Sequence, residues 1–190
     1  GDDMESKKPF ILALTGAGIS KASGIPTFQD IPGIKDKLDV DFRAQHPEEF
    51  DRVVQQMKDN MRGKEPNDAH RALAAYDIPI VTMNVDGLHQ KAGSKTVIEC
   101  HGNLEAGTMV LYGEQAFYEQ AFDLLQQATD TADKIGQRKI LLVIGPSYET
   151  QLANAFVQSA LYLGWALAEV NHDAEHLVAP FLERELGTQN

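Results

Sequence analysis

The chain has too few cysteines and too few basic residues for several classes of protein. Its 190 residues include one cysteine, Cys100, which excludes an intrachain disulfide and a zinc site built from several thiolates. Acidic residues outnumber basic ones 28 to 17, and the net charge of −11 disfavours nucleic acid and anionic membranes as partners. Since we find neither a signal peptide nor an apolar run able to cross a bilayer, we expect a cytoplasmic protein with no membrane partner.

What the sequence does contain predicts a single domain, residues 1–190, of the α/β class. Strands are predicted at residues 10–14, 78–83, 96–99, 108–111, 140–144 and 165–170. Helices are predicted at 19–22, 47–62, from 66 onward, before Gly93, at 117–128 and at 151–163, with a loop over 28–41. This alternation favours a doubly wound, mostly parallel, Rossmann-like sheet with helices on both faces. Ligands of such sheets bind where the strands end.

A glycine turn follows the first predicted strand. Gly16, Ala17 and Gly18 offer bare backbone at the start of a helix, which is where phosphate groups bind. The dinucleotide fingerprint requires a third glycine three residues later, but that residue is Lys21. Taken alone, the turn is equally well explained as an ordinary strand-to-helix connection, and a hydride-transfer enzyme is poorly supported.

Two longer strings carry a more specific signal. Residues 16–28 (GAGISKASGIPTF) and 82–93 (TMNVDGLHQKAG) resemble two motifs of the sirtuins, the silent-information-regulator family of NAD-dependent protein deacylases. His101-Gly102 follows at that family's spacing. Four shorter segments also resemble sirtuin motifs and follow one another in the order found in that family: 66–70 (PNDAH), 110–114 (VLYGE), 145–147 (GPS) and 169–171 (EVN).

The resemblance implies NAD as cofactor, an acyl-lysine protein or peptide as substrate, and a role for each matching residue. His101 is implied as the general base for a ribose hydroxyl, a role that suits imidazole because its ordinary pKa is near 6.5. Asn84 and Asp86 are implied in the nicotinamide pocket. The other implied cofactor contacts are Gly16, Ala17, Gly18, Ser20, Ile25, Phe28, Gln29, Met83, Gly145, Ser147 and Asn171, and the implied substrate contacts are Val110, Tyr112 and Gly113.

Structural explanations compete with these roles when each residue is judged singly. Asp86 precedes a short helix and would serve as its cap, and Asn84 would serve the preceding turn. His101 at a strand end is also typical of a hydrogen-bonded structural histidine. His70 and His89 are interpreted as structural, and Cys100 as a small core residue on the opposite side of the chain from His101.

The sequence departs from the sirtuin pattern in its zinc module. Typical sirtuins carry a four-cysteine zinc module after the His-Gly motif, whereas residues 103–106 alone separate this motif from the next predicted strand. We therefore expect no metal, and a reduced small module formed by helices within residues 29–76.

Three substitutions inside the motifs weaken the implied cofactor contacts. Gln29 replaces an arginine, Met83 replaces a glutamine and Pro146 replaces a threonine. The residues after the third loop also lack the family's hydrophobic-proline pattern, which bears on docking of a substrate peptide as a β-strand.

Three functions follow as hypotheses. The first is an NAD-dependent protein-lysine deacylase that transfers the acyl group to ADP-ribose and releases nicotinamide. The second is ADP-ribosyl transfer or NAD hydrolysis in the same pocket. The third is a sensor of NAD or ADP-ribose without turnover, favoured by Gln29 and Met83. The acyl chain, the target protein and the oligomeric state stay open at this stage.

Overall fold

A computed structural model describes residues 8–27, 30–146 and 151–189. Phe28, Gln29 and Ser147, three of the predicted cofactor contacts, lie outside the described residues. A five-stranded sheet occupies the centre, with the strands in the order β3-β2-β1-β4-β5 and every neighbouring pair parallel. The predicted doubly wound, Rossmann-like α/β fold is thus confirmed.

The strands are β1 (Phe10–Thr15), β2 (Ile80–Thr82), β3 (Val97–Glu99), β4 (Lys139–Ile144) and β5 (Ala166–Val170). A 3₁₀ helix, Ala17–Ser23, follows β1, and the α-helices are α1 (Ile34–Lys37), α2 (Val40–Gln45), α3 (Pro47–Met61), α4 (Asp68–Ala75), α5 (Leu88–Lys91), α6 (Tyr118–Lys134), α7 (Gln151–Tyr162) and α8 (Ala174–Leu186). None of the helices among the described residues is long and apolar enough to span a membrane.

Both faces of the sheet are buried because the side chains of β1 and β4 alternate between two cores. Ile11 and Ala13 of β1 pack with α4 and α8 on one face, whereas Leu12 and Leu14 pack with α6 and α7 on the other. This arrangement explains why both strands read as continuous apolar runs in the sequence.

A third core is separate from the two cores that flank the sheet, and it joins α1 and α3 to two loop residues. Ile34, Phe50 and Met57 of α1 and α3 pack against Leu104 and Leu111. In contrast, α4 packs in the first core beside the sheet. The small module over residues 29–76 stays a prediction, and α1–α3 are the part of that range that shares this separate core.

Three regions differ from the sequence prediction. The strand predicted at 108–111 is wrong, because the backbone there bonds to loops: the Val110 N–H donates to the His101 carbonyl. The loop predicted over 28–41 contains α1, since Ile34 and Leu38, one helical turn apart, are buried in the third core. No helix is predicted after residue 171, yet α8 forms there with Pro180 in its interior.

Burial explains why α8 tolerates its proline. Ala174, Val178 and Leu182 recur every four residues and are buried in the first core. Their burial offsets the hydrogen bond that Pro180 removes from the middle of the helix.

Candidate active site

The strand ends meet at one cleft of about 710 Å³. Gly18, after β1, faces Gly145, after β4, at the point where the sheet's connections diverge to opposite sides. In open α/β sheets this switch point is where ligands bind. The loop after β2, the segment around His101 and the third core form the rest of the cleft.

Gly18 and Gly145 bring two backbone turns into direct contact. The Gly18 N–H donates to the Gly145 carbonyl at 3.1 Å. A Cβ added at Gly18 would lie 2.5 Å from the Gly145 Cα, a distance that real side chains do not tolerate. Bare backbone is therefore required at this position and is open to a ligand from the cleft side.

The loop after β2 places Asn84 and Asp86 beside the first loop. The Asn84 Nδ2 donates to the Gly16 carbonyl at 2.9 Å, and the Ser20 hydroxyl donates to Asp86 Oδ2 at 2.6 Å. Asp86 Oδ1 accepts from the Leu88 N–H at 3.0 Å, but the N-cap of the next helix is Gly87, so Asp86 is not the cap that the sequence predicts and bonds the first helical N–H from one residue earlier. Burial raises the pKa of Asp86, while its hydrogen bonds from Ser20 and Leu88 act in the opposite direction.

Behind Ser20, the buried His70 completes a chain of hydrogen bonds. His70 Nδ1 accepts from the Asn67 N–H at 3.1 Å, which leaves Nε2 as the protonated nitrogen facing the Ser20 hydroxyl at 3.4 Å. Burial lowers the pKa of His70 to about 4, so the ring is neutral at pH 7. The amide of Asn67 also donates to the Ile19 carbonyl at 2.8 Å, fixing α4 to the 3₁₀ helix.

A second buried network of hydrogen bonds holds the backbone of Asn84 through Thr82. His89 Nε2 lies 2.8 Å from the Thr15 hydroxyl, which donates to the Thr82 hydroxyl at 2.7 Å. The Thr82 oxygen in turn accepts from the Asn84 N–H at 3.1 Å. Burial lowers the pKa of His89 to about 3, so it too is neutral. His70 and His89 are structural, as predicted, but both reach the residues that line the cleft.

His101 lines the cleft with a partly buried imidazole ring. Its Nε2 is buried and has no hydrogen-bond partner among the described residues, and burial lowers the pKa of the ring. Cys100, the preceding residue, is buried in the second core, where its thiol pKa is raised to about 12. A protonated buried thiol is unsuited to nucleophilic attack, which confirms Cys100 as a core residue.

A tight loop joins His101 to the segment that begins at Thr108. Gly102 has φ of +79°, and a Cβ there would lie 2.0 Å from the Thr108 carbonyl oxygen, so a side chain is excluded. The Asn103 carbonyl accepts from the Thr108 N–H at 3.1 Å, while Leu104 is buried in the third core. The loop therefore returns the chain to the cleft within a few residues.

The three residues predicted to bind substrate, Val110, Tyr112 and Gly113, line the cleft. The Tyr112 N–H donates to the Leu38 carbonyl at 2.9 Å, and its carbonyl accepts from the Val40 N–H at 3.0 Å. Both backbone groups of Tyr112 are thus already paired within the chain. The residue is 49% exposed and lines the cleft.

Most of the predicted site residues converge on this one cleft. Its lining includes Ala17, Gly18, Ser20, Ile25, Met83, Asn84, Asp86, His101, Val110, Tyr112, Gly113, Gly145 and Asn171. Gly16 contributes through its carbonyl bond to Asn84. The sequence predicts no role for the supporting Thr15 and Thr82, although Thr82 begins the second motif, because a hydroxyl at the end of a buried strand has no characteristic pattern of its own.

Comparison with known proteins agrees with this geometry. The model of the Sir2 family matches residues 16–127, which contain the first two loops, His101 and the segment after it. The chain belongs to the Sir2 family. This assignment confirms the resemblance inferred from the motifs.

Individual Sir2-family relatives match with different coverage. An NAD-dependent protein deacetylase of Thermotoga maritima is 43% identical over 54% of this chain and 46% of its own length. An NAD-dependent protein deacylase of Thermus thermophilus is 32% identical over 85% of this chain and 78% of its own. The chain spans about half the length of the first curated relatives it matches.

Solved structures of the family share the fold. A Sir2 homologue–NAD complex superposes with a TM-score of 0.78 at 22% identity, covering 94% of this chain and 90% of the other. A Sir2–p53 peptide–NAD⁺ complex superposes with a TM-score of 0.72 at 27% identity, covering 96% and 95%.

Proposed function

We propose that this Sir2-family chain is an NAD-dependent protein-lysine deacylase. The observation that carries the proposal is the convergence of the Gly18–Gly145 contact, the Asp86 carboxylate and the unpartnered His101 nitrogen on one cleft. The products are lysine, nicotinamide and O-acyl-ADP-ribose, with one water consumed.

The residues present fit NAD. Gly18 and Gly145 both line the cleft, and their lack of side chains lets a diphosphate approach the backbone of the two turns. Asp86 accepts hydrogen bonds through both oxygens and can hold a carboxamide N–H, with Ile25 providing an apolar wall nearby. Asn171 lines the cleft beyond the third loop and suits the adenosine end. When bound, NAD supplies a ribose carbon from which nicotinamide can leave.

His101 is the proposed general base. Its lowered pKa keeps the imidazole neutral at pH 7, and its buried Nε2 is without a partner among the described residues. A neutral ring nitrogen at this position can accept the proton of a ribose hydroxyl as the acyl group is transferred to it. We also propose that Asn84, fixed by the Gly16 carbonyl, lies against the departing nicotinamide.

The proposed substrate is an acyl-lysine peptide that enters past Val110, Tyr112 and Gly113. A Sir2–p53 peptide–NAD⁺ complex is known for a protein of the same fold. The net charge of −11 favours a basic peptide over an acidic one. We further propose that the protein acts in the cytoplasm, since one cysteine fits a reducing compartment.

The experiment that tests the function is quantification of nicotinamide by chromatography after incubation with NAD, with and without acyl-lysine peptides. We expect release that depends on the peptide, together with O-acyl-ADP-ribose. Release with water alone would indicate NAD hydrolysis, and binding of NAD without release would indicate a sensor. Each of those two outcomes contradicts the deacylase proposal.

The assignment of the base is tested by His101→Ala. We expect a loss of turnover of at least about 100-fold, because positioned general bases contribute about 10²–10⁴-fold. NAD affinity, measured by calorimetry, should change little. The matched control is His46→Ala, a histidine on the exposed surface before α3, which should leave turnover unchanged. Full activity of His101→Ala would contradict the assignment.

A further inference from the structure

The longest uncharged run of the sequence includes exposed surface residues. Residues 150–168 contain no acidic or basic side chain, although charged residues make up 24% of the chain. The uncharged run of β1 is explained by burial, because that strand is buried on both faces of the sheet. Burial does not explain residues 150–168, since Leu161, Tyr162 and Leu167 are exposed. This part of the surface therefore lacks charge for another reason.

A groove of about 410 Å³ lies between α6 and α7, beside this run. Its apolar base consists of side chains that are partly or fully buried: Phe122, Leu125 and Leu163. Its edges are formed by exposed residues: Gln126, Gln158 and Tyr162. We name this feature the α6–α7 groove. None of these residues lines the cleft proposed to bind NAD, so the groove is a separate surface feature.

Tyr162 borders the α6–α7 groove without filling it. The residue is 90% exposed, so its ring packs on almost nothing within the described part of its own chain. Tyrosine is enriched in protein interfaces because its ring is apolar and its hydroxyl finds a polar partner. The amides of Gln126 and Gln158 at the groove edges are suitable partners for a phenol hydroxyl. The groove is therefore suited to receive a ring of the kind that stands exposed beside it.

A second copy of the chain is the partner that this surface fits. In a two-fold dimer both copies use the same patch, so a patch that holds a ring and a groove side by side is complementary to itself. Because each copy has a net charge of −11, two copies repel one another at most orientations. They approach at the lowest electrostatic cost where both surfaces are uncharged, which is the condition that residues 150–168 meet.

We propose that the α6–α7 groove is the interface of a homodimer in which Tyr162 of each copy occupies the groove of the other. Leu161 and Leu167 extend the apolar contact. Leu167 lies on the same face of the sheet as α7, since its neighbour in β4, Leu141, packs in the second core. Two adjacent helices with the 12 residues of α7 present a face about 20 Å wide and about 18 Å long. Such an area is at the low end for specific interfaces, so we expect a reversible dimer with a dissociation constant in the micromolar range.

The test is sedimentation equilibrium of the full chain over micromolar to submillimolar concentrations. We expect a monomer–dimer equilibrium that is tighter in about 0.5 M than in about 0.05 M NaCl, because salt screens the repulsion between two chains of like charge. A monomer at every concentration and at both salt concentrations would overturn the proposal. A dimer that salt weakens would also overturn it, since ion pairs would then hold the interface.

A pair of lysine variants locates the interface. Tyr162→Lys should raise the dissociation constant at least about ten-fold, as loss of a central interface aromatic does. Leu177→Lys is the matched control, because Leu177 is an exposed apolar residue of α8 on the opposite face of the sheet. Both variants reduce the net negative charge equally, so a difference between them reports the position of the contact. The free energy of unfolding of the Tyr162→Lys monomer should equal that of the parent, which separates loss of the interface from misfolding.

A second pair of variants tests whether the groove receives the ring. Gln126→Trp places bulk at the groove edge and should also weaken the dimer at least about ten-fold. Gln127→Trp adds the same bulk to the next exposed position of α6, which does not line the groove, and should leave the dimer unchanged. A dimer that is as tight in Tyr162→Lys as in Leu177→Lys, or as tight in Gln126→Trp as in Gln127→Trp, would overturn the pairing of ring and groove.

Discussion

The two sides of the cleft are built in different ways. The polar side depends on backbone: glycines in contact, carbonyls that accept side-chain amides, and a carboxylate held by a hydroxyl and an N–H. The apolar side depends on side chains of the third core that also line the cleft, such as Met57, Met61 and Met109. The polar side is therefore strict about geometry, whereas the apolar side tolerates changes that keep its volume and apolar character.

Deleting a side chain from the third core should have the largest effect on stability and should separate the two sides. Phe50 is 8% exposed and packs in that core. We expect Phe50→Ala to lower the free energy of unfolding by about 3–5 kcal/mol, as large-to-small core substitutions do. NAD affinity at a temperature where the variant is folded should stay near that of the parent.

Urea denaturation and calorimetry measure the two effects of Phe50→Ala. Tyr162→Ala is the control, because its ring is 90% exposed and its loss should not change stability. A loss of NAD affinity in folded Phe50→Ala as large as the loss of stability would show that the two sides do not separate.

A single methyl group should disrupt the polar side. We expect Gly18→Ala to weaken NAD binding about 100-fold, or about 2.7 kcal/mol, since the new Cβ would meet the Gly145 backbone. Gly107→Ala is a stringent control: its φ is +74° but no atom lies within 4 Å of the added Cβ. It should lose about 1 kcal/mol of stability and keep its NAD affinity. Unaltered NAD binding in Gly18→Ala would contradict the role of the contact.

Acid should destabilise the polar side through its buried histidines. The folded state holds the pKa of His70 at about 4 and that of His89 at about 3, whereas the unfolded state titrates near 6.5. Below pH 6.5 the unfolded chain binds protons that the folded chain does not. The stability is therefore complete above pH 6.5 and falls as the pH drops toward these folded values.

The matched variant for this pH dependence is His89→Gln, which keeps a donor for Thr15 but binds no proton. Urea denaturation between pH 7 and pH 5 should give the variant a shallower loss, by up to about 1.4 kcal/mol per pH unit. Equal slopes would mean that His89 titrates alike in both states.

The smallest expected effect comes from one hydroxyl. Ser20→Ala removes the donor to Asp86, so its pKa should rise further and NAD affinity should fall about five-fold, or about 1 kcal/mol. Ser94→Ala is the control, because its hydroxyl has no partner among the described residues. Titration calorimetry with NAD compares the two, and identical affinities would indicate that Ser20 does not support Asp86.

Elements with a strong local pattern are predicted well. The predicted strands β1 and β4 are confirmed, because burial on both faces of the sheet makes each a continuous apolar run. The helix predicted at 47–62 is also confirmed, as α3 (Pro47–Met61), because burial of one face gives it a helical periodicity. The strand predicted at 108–111 fails because apolar residues there pack as a loop against the third core. Its hydrogen-bond partners come from distant loops, which no local pattern records.

In the candidate site, too, some residues are predicted from local sequence and others depend on contacts between distant segments. Asn84, Asp86 and His101 are found through motifs. The bonds of Asn84 to Gly16 and of Asp86 to Ser20 follow only from contacts between loops that are 68 and 66 residues apart in the chain. Met57 belongs to the third core, yet it also lines the cleft. A helical stripe shows which face is apolar and leaves unspecified whether that face meets another helix or a ligand.

The sequence by itself determined the α/β class, the family and the loops that carry the site, because apolar periodicity and glycine placement act over a few residues. The tertiary structure decided which groups meet: Gly18 with Gly145, Ser20 with Asp86, and α1–α3 with the loop after His101. These contacts join residues far apart in the chain. Their formation depends on how the sheet brings its strand ends together and on how the third core closes over them.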